Sequence, residues 1–235
     1  MSEIIIENLT IAVIRKRIKN IYLRVYPASG RISISAPAGV SDEAIQKFAR
    51  SKLPWLQKQM TKAENLSRQK LENQLKYVSG EQHYIFGIPY TLAVIIRSSP
   101  TKVLVKQDQL VLITRPQTGP HKREQLINHF YRETLKKTIP GYIDKWEKLM
   151  KVQVREFGVK RMKTRWGSCN RRARRIWINL ELAKKKPVFL EYIIVHEMIH
   201  LLEKNHNQRF YRLMDRFLPE WKDIRKELNN GQLTG

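Results

Sequence analysis

Apolar and polar positions alternate with a period of two in several short stretches of the first half of the chain. Because successive side chains of a strand point to opposite faces, these stretches are predicted to be strands. They are residues 11–14, 22–26, 31–35, 84–86, 90–96 and 103–113, the last range with a predicted turn at 107–109. Turns are predicted between them at pieces rich in Gly, Pro, Ser or Asp, such as residues 27–30 and 87–89.

Helical signals separate the two groups of predicted strands. Ser41 is predicted to cap a helix over residues 44–50, since its hydroxyl can accept a hydrogen bond from the first turn. The acidic residues Asp42 and Glu43 suit the positive end of that helix. Pro54 is predicted to open a second helix that runs into the polar stretch 62–74.

A Pro/Gly-rich piece at residues 115–120 is the predicted domain boundary, and helical spacing follows it. Pro140 is predicted to bend or break that helix, because proline lacks an N–H and its ring clashes with the preceding turn. No internal repeat is apparent. We therefore predict an α+β fold, with an amino-terminal β-rich domain that carries helices over residues 1–116 and a second domain over residues 117–235.

The last third is predicted to hold strands at about residues 154–166 and 175–180, an apolar helix opened by Pro187, and a helix over residues 206–217. A basic run with no acidic residue inside it lies around the turn between the two strands. Its members are Lys160, Arg161, Lys163, Arg165, Arg171, Arg172, Arg174 and Arg175. Such runs are often only solvated surface, and contact with a substrate is the alternative.

Composition adds a strong charge and excludes some classes. The 45 Lys and Arg against 21 Asp and Glu give a formal net charge of +24, which attracts polyanions such as nucleic acid, nucleotides or acidic protein segments. No apolar run approaches the roughly 18 residues of a membrane span, and the first ten residues do not form a basic and then apolar leader. The single Cys169 agrees with a reducing compartment, so a cytoplasmic location is predicted.

The motif His196-Glu197-Met198-Ile199-His200 lies inside the predicted apolar helix. Histidines four positions apart share one helical face, so both can reach one metal ion while Glu197 points at its bound water. Core histidines without a metal are the alternative. A carboxylate among apolar residues would be costly to bury without a partner, which favours the metal.

His206 is the predicted third ligand. An unbroken helix would turn it about 240° away from His200, so the helix must end between them, with Lys204 and Asn205 as the predicted exit. Three histidines and one Zn²⁺ ion would leave a fourth position for water, the arrangement of a catalytic zinc site. Glu197 would be the general base. A surface histidine that caps the next helix is the alternative for His206.

Further contacts with the substrate are predicted by position. Arg209 and Tyr211 follow His206 closely and are candidates to stabilise an oxyanion. Arg165 and Trp166, in the stretch 164–169, could shape the cleft, with Arg175 opening an edge strand that pairs with an extended peptide. The alternative is that Trp166 is a core residue and that a turn begins at the following glycine.

These motifs together resemble the YgjP-like group of predicted metal-dependent hydrolases, which is related to SprT-like and WLM-type zinc metallopeptidases. The motifs are Thr164-Arg-Trp-Gly-Ser-Cys169, Ile178-Asn-Leu180, Tyr192-Ile-Ile-Val-His-Glu-Met-Ile-His-Leu201, and Asn205-His206 with Phe210. The resemblance implies a small zincin-like catalytic domain with His196, His200 and His206 on zinc and Glu197 as base. Glu203 stands where metzincins carry glycine, which argues against membership of that group.

The resemblance leaves more than one activity open. The leading hypothesis is zinc-dependent hydrolysis of peptide bonds in a peptide or protein, with nucleic-acid-associated or acidic proteins among the expected substrates. The wider family has also been named as nucleoside triphosphate (UTP) pyrophosphatases, and the arginine-rich turn could hold a triphosphate. A basic nucleic-acid-binding module with a structural metal is a further alternative, although a structural site needs no base.

Overall fold

The computed structural model describes residues 2–26, 30–72 and 75–230, and the chain divides into two compact units, Met1–Gln74 and Leu75–Gly235. The fold is α+β, as predicted. The predicted boundary after residue 116 falls inside the second unit, where residues on both of its sides share one apolar core. Within the described residues, no helix is both long enough and apolar enough to cross a bilayer.

The first unit is a four-stranded sheet with two helices. Its elements are β1 (Ser2–Ile6), β2 (Leu9–Lys16), β3 (Tyr22–Tyr26), β4 (Arg31–Pro37), α1 (Asp42–Ser51) and α2 (Leu53–Glu72). The strand order is β1-β2-β4-β3, with β2 and β4 parallel. Ser41 caps α1 as predicted, because its Oγ accepts a hydrogen bond from the Ala44 amide at 3.2 Å. Three residues of the predicted turn 27–30 lie outside the described residues.

The second unit opens with a sheet of the same topology. Its strands are β5 (Gln82–Ile85), β6 (Ile88–Ile96), β7 (Lys102–Lys106) and β8 (Gln109–Thr114). Their order is β5-β6-β8-β7, with β6 and β8 parallel, which matches the first sheet strand for strand. The sequence does not reveal this structural repeat, because the two sheets have the same strand order but different amino-acid sequences.

Helix α3 (Pro120–Met150) follows, and Pro140 lies inside it. Of the two predicted effects of Pro140, a bend or a break, the break is wrong because the helix continues through it. Ile139 and Ile143, on either side of the proline, are both buried in the core of this unit. Proline has no N–H and so cannot donate the helical hydrogen bond at this position. The packing of the two isoleucines stabilises the helix where that bond is missing.

A three-stranded sheet and three helices complete the second unit. They are β9 (Glu156–Lys160), β10 (Gly167–Asn170), β11 (Arg175–Asn179), a 3-10 segment at Leu180–Lys184, α4 (Pro187–Leu202), α5 (Gln208–Phe217) and α6 (Trp221–Asn230). The order β10-β11-β9 makes β11 the central strand and not the predicted edge. Helix α6 was not predicted from the sequence.

Asn179 ties the irregular residues 161–166 to the end of β11. This side chain is fully buried; its oxygen accepts from the Met162 and Glu181 amides, and its nitrogen donates to the Met162 and Arg165 carbonyls at 2.9 and 2.7 Å. The loop lacks strand pairing of its own, so these bonds fix its path. The predicted strand over residues 154–166 is accordingly shorter than expected and ends at Lys160.

We expect Asn179→Ala to lower the free energy of unfolding by about 2 kcal/mol or more, since each buried polar group left without a partner costs about 1–3 kcal/mol. Urea unfolding followed by tryptophan fluorescence measures the change. Asn170→Ala is the matched control, because the Asn170 side chain makes one hydrogen bond in an exposed turn, to the Ala173 amide. Equal effects of the two substitutions would contradict the assigned role of Asn179.

Candidate metal centre

Helix α4 carries His196, Glu197 and His200 through the centre of the second unit. Apolar side chains are buried on most sides of this helix, and they include Ile194, Val195, Met198 and Ile199. A helix that is apolar nearly all round is an interior helix. Its position in the core therefore fixes the direction in which the two histidines and the glutamate point.

His206 returns to these residues because α4 ends at Leu202. Glu203 takes an extended conformation, with φ −135° and ψ 123°, and the chain reverses before α5. The helix thus ends between His200 and His206, as predicted. The exit differs from the prediction, since Asn205 is not among the residues with positive φ and the change of direction begins at Glu203.

The three imidazole rings converge on one point. His196 Nε2 and His206 Nε2 are 3.0 Å apart, and one ring nitrogen from each of the three histidines lies within 4.8 Å of the others. Tetrahedral zinc with Zn–N bonds of about 2.0–2.1 Å would separate its ligands by about 3.3 Å. Rings that are already this close need only small shifts to hold one ion.

The surroundings of the rings favour metal ligation. The His200 Nδ1 is 3.1 Å from the Glu203 carbonyl oxygen, a partner that leaves Nε2 free for a metal. Burial, reinforced by the other two histidines, lowers the pKa of His196 to about 3, and burial also lowers the pKa of His206. Ligation requires neutral imidazole, so the residues present fit a metal ion. Imidazole ligands suit zinc and also copper, iron and nickel.

Phe210 supports all three rings from α5. Its ring centroid is 5.0 Å from that of His196, 4.8 Å from that of His200 and 4.6 Å from that of His206. The Phe210 side chain is only 1% exposed, so it forms a fixed wall behind the histidines. The Asn207 side chain caps α5 by accepting from the Phe210 amide at 3.0 Å, which positions that wall.

Glu197 is a buried acid beside the histidines. It is 5% exposed, and burial raises its pKa to about 8 while the nearby Arg165 opposes that rise. A Cβ added to Gly167 of β10 would lie 2.6 Å from Glu197 Oε1 and 2.9 Å from Ile193 Cγ2. Only glycine leaves room here for the carboxylate, which explains the glycine of the stretch 164–169.

An open cleft of about 790 Å³ exposes the three histidines and Glu197. Strand β10 forms one wall, and its outer edge does not pair with another strand among the described residues. Five basic side chains also line the cleft. They are Arg165, Arg171, Arg172, Lys204 and Arg225. Glu197 is the acidic residue of this lining, so the cleft is strongly positive.

The structure brings only part of the predicted substrate contacts to this cleft. Arg165 and Trp166 line it. Arg175 points elsewhere and pairs with Glu156 at 3.3 Å. Arg209 is exposed, 3.8 Å from Glu203, and Tyr211 stacks on Trp221 with ring centroids 5.6 Å apart. None of these last three predicted residues is part of the cleft lining.

Other lining residues were missed by sequence reasoning. Tyr192 lies one turn before His196, and Arg225, Leu228 and Asn229 come from α6. Tyr192 could have been found from its helical spacing to the motif. No motif connects α6 with the histidines, because its approach depends on the packing of Trp221 and Leu228 in the core.

We expect Gly167→Ala to lower the free energy of unfolding by about 1–3 kcal/mol, because the added methyl overpacks the contact with Glu197 and Ile193. Gly141→Ala is the control, since a Cβ at this helical glycine meets nothing within 4 Å and alanine favours the helix. Urea unfolding of the two variants should therefore move in opposite directions. A neutral or stabilising Gly167→Ala would contradict the tight fit.

Comparison with known proteins assigns the family. The YgjP-like, metallopeptidase domain model matches residues 19–231, which is most of the chain. A search of curated proteins found no significant match. A solved structure, the metallopeptidase zymogen of Pyrococcus abyssi abylysin, is similar with a TM-score of 0.38 and 16% identity, over 40% of this chain and 94% of that chain. The length of the family match shows that the chain belongs to the YgjP-like family of metallopeptidase domains.

Proposed function

We propose that the chain is a zinc-dependent peptidase whose zincin-like catalytic region, within residues 117–235, holds one Zn²⁺ ion on His196, His200 and His206. The observation that carries this proposal is a buried carboxylate beside three convergent imidazoles at the floor of an open cleft. The family of the chain supports peptide hydrolysis as the reaction.

Glu197 is the proposed general base. Among the described residues it takes part in no ion pair, although its side chain is almost fully buried. Burying an acid that forms no ion pair costs free energy, and a purely structural metal site would not need such an acid. A zinc ion held by the three histidines would supply the Lewis acid that polarises a carbonyl and acidifies water.

The residues of the chain then have separate tasks. Glu197 accepts the proton of the attacking water and passes it to the leaving amine. Gly167 leaves space for that carboxylate, and Arg165 adds a positive charge near it. Arg225 lines the cleft from α6, and its charge adds to the effect of burial in lowering the pKa of both His196 and His206. It is therefore our candidate to stabilise negative charge that develops on the substrate.

The second candidate is a metal-dependent nucleoside triphosphate pyrophosphatase. The positive cleft favours it, because Arg165, Arg171 and Arg172 could bind phosphate oxygens through paired N–H groups. The same base and the same metal would serve this reaction. The two activities differ in substrate, so a direct comparison of substrates separates them.

We expect Glu197→Gln to lower peptidase activity by about 10²–10⁴-fold, because the general base is lost while the histidines remain. Hydrolysis of a fluorogenic casein and the zinc content of the purified protein are the two measurements, and zinc content should not change. The control is Glu191→Gln on the same helix, where the acid instead pairs with Lys145 and Trp146. Full activity of Glu197→Gln would exclude the assigned base.

The same proteins incubated with UTP test the second candidate. Release of pyrophosphate by the wild type and its loss in Glu197→Gln, with casein intact in both, would replace the peptidase by the pyrophosphatase. We expect the opposite pattern, in which casein is cut and UTP is not.

We expect His206→Ala to weaken zinc binding by more than about 100-fold, because second-shell partners alone contribute about 10–100-fold and His206 would contact the ion directly. Competition with a chromogenic chelator measures the affinity. The control is His129→Ala, since His129 is exposed on α3 and belongs to no cluster of metal-ligating residues among those described. Unchanged, stoichiometric and equally tight zinc in His206→Ala would rule out the three-histidine site.

A further inference from the structure

A second pocket of about 710 Å³ adjoins the metal cleft and carries four positive side chains. Lys151, Arg171, Arg172 and Arg174 line it, and no acidic residue does. Arg171 and Arg172 also line the metal cleft, so the two depressions share a wall. We call this the distal basic pocket. It is formed where the turn between β10 and β11 meets residues 151–153, which follow α3, and the last residues of α4.

The cations of the distal basic pocket form few contacts with other groups among the described residues. Arg171 is 3.5 Å from the Leu201 carbonyl oxygen and Arg174 is 3.5 Å from the Gln153 side-chain oxygen, both long single bonds. A guanidinium has five N–H donors, so most donors remain available. Within the described parts of the chain, none of the ion pairs includes a cation of this pocket.

Two of the cations belong to residues with positive φ. Lys151 has φ 54° and Arg174 has φ 49°, in the left-handed region that favours glycine or asparagine. Lys151 has this conformation as the residue that closes α3. The four cations line one pocket and repel one another. An anionic ligand would offset that repulsion.

The rest of the lining favours a peptide over a nucleic acid. Val152, Leu201 and Leu202 supply an apolar surface, and the lining contains no aromatic side chain on which a base could stack. Carboxylates match the planar fork of arginine, and the apolar surface suits neighbouring aliphatic side chains. A peptide that occupies the metal cleft can extend past the shared arginines into this pocket.

We propose that the distal basic pocket binds a Glu or Asp side chain of the peptide substrate and so makes acidic peptides the preferred substrates. The inference rests on the proposed peptidase function, and it assigns specificity to Lys151 and Arg174. These two residues line the distal pocket alone, so their replacement leaves the metal cleft intact. Leu201 lines the distal basic pocket and directly follows the proposed metal ligand His200. An acidic side chain bound in this pocket would therefore lie close to the scissile bond.

The test compares two fluorogenic peptides that differ only in having Glu or Gln residues on both sides of the cleavable bond. We expect the wild type to cleave the Glu peptide with at least a 10-fold higher kcat/KM. The double variant Lys151→Gln/Arg174→Gln should lose that preference and keep its kcat/KM for the Gln peptide. Lys148→Gln/Arg155→Gln is the control, because it removes the same charge from exposed residues outside the pocket and should retain the preference.

A binding measurement separates this inference from the proposed function. Fluorescence anisotropy of a labelled Glu peptide on zinc-loaded Glu197→Gln protein reports the pocket without any turnover. Binding that depends on Lys151 and Arg174, with no cleavage of either peptide by the wild type, would support the pocket and overturn the peptidase. Cleavage without charge preference, or an equal loss in the control variant, would overturn the pocket. Tighter binding of a single-stranded oligonucleotide through the same two residues would replace the peptide ligand with nucleic acid.

Discussion

The convergence of three imidazole rings at the end of α4 is the constraint on which the site depends. Two of the rings are fixed by helical spacing, but the third arrives only because the helix ends at Leu202 and the chain reverses. Phe210 then packs against all three rings. The turn at Glu203 and the wall at Phe210 are therefore as important for the site as the histidines themselves.

The remainder of the second unit keeps this arrangement open on one side. The core on most sides of α4 prevents the helix from rotating, and β10 approaches so closely that only glycine fits opposite the carboxylate. Asn179 holds the loop that leads into β10. As a result, the Glu197 carboxylate stays beside the histidines and still faces the cleft, although burial of a charged group is unfavourable.

Sequence reasoning succeeded where the signal is local. The histidine spacing, the cap at Ser41 and the alternating strands all depend on neighbours within a few residues, and the structure contains each of them. It failed where tertiary packing decides. Pro140 was expected to bend or break α3, and the helix does not break there. Strand β11 was expected at an edge but is central, and Arg225 reaches the cleft from a helix that no pattern indicated.

The proposed chemistry reduces to one question, whether these rings hold a zinc ion with one position open. Diffraction from crystals grown with zinc, measured at the zinc absorption edge, answers it most directly. We expect one anomalous peak about 2.0–2.1 Å from a nitrogen of His196, His200 and His206, with water as the remaining ligand. Absence of a peak between the rings, or a protein side chain in the fourth position, would contradict it.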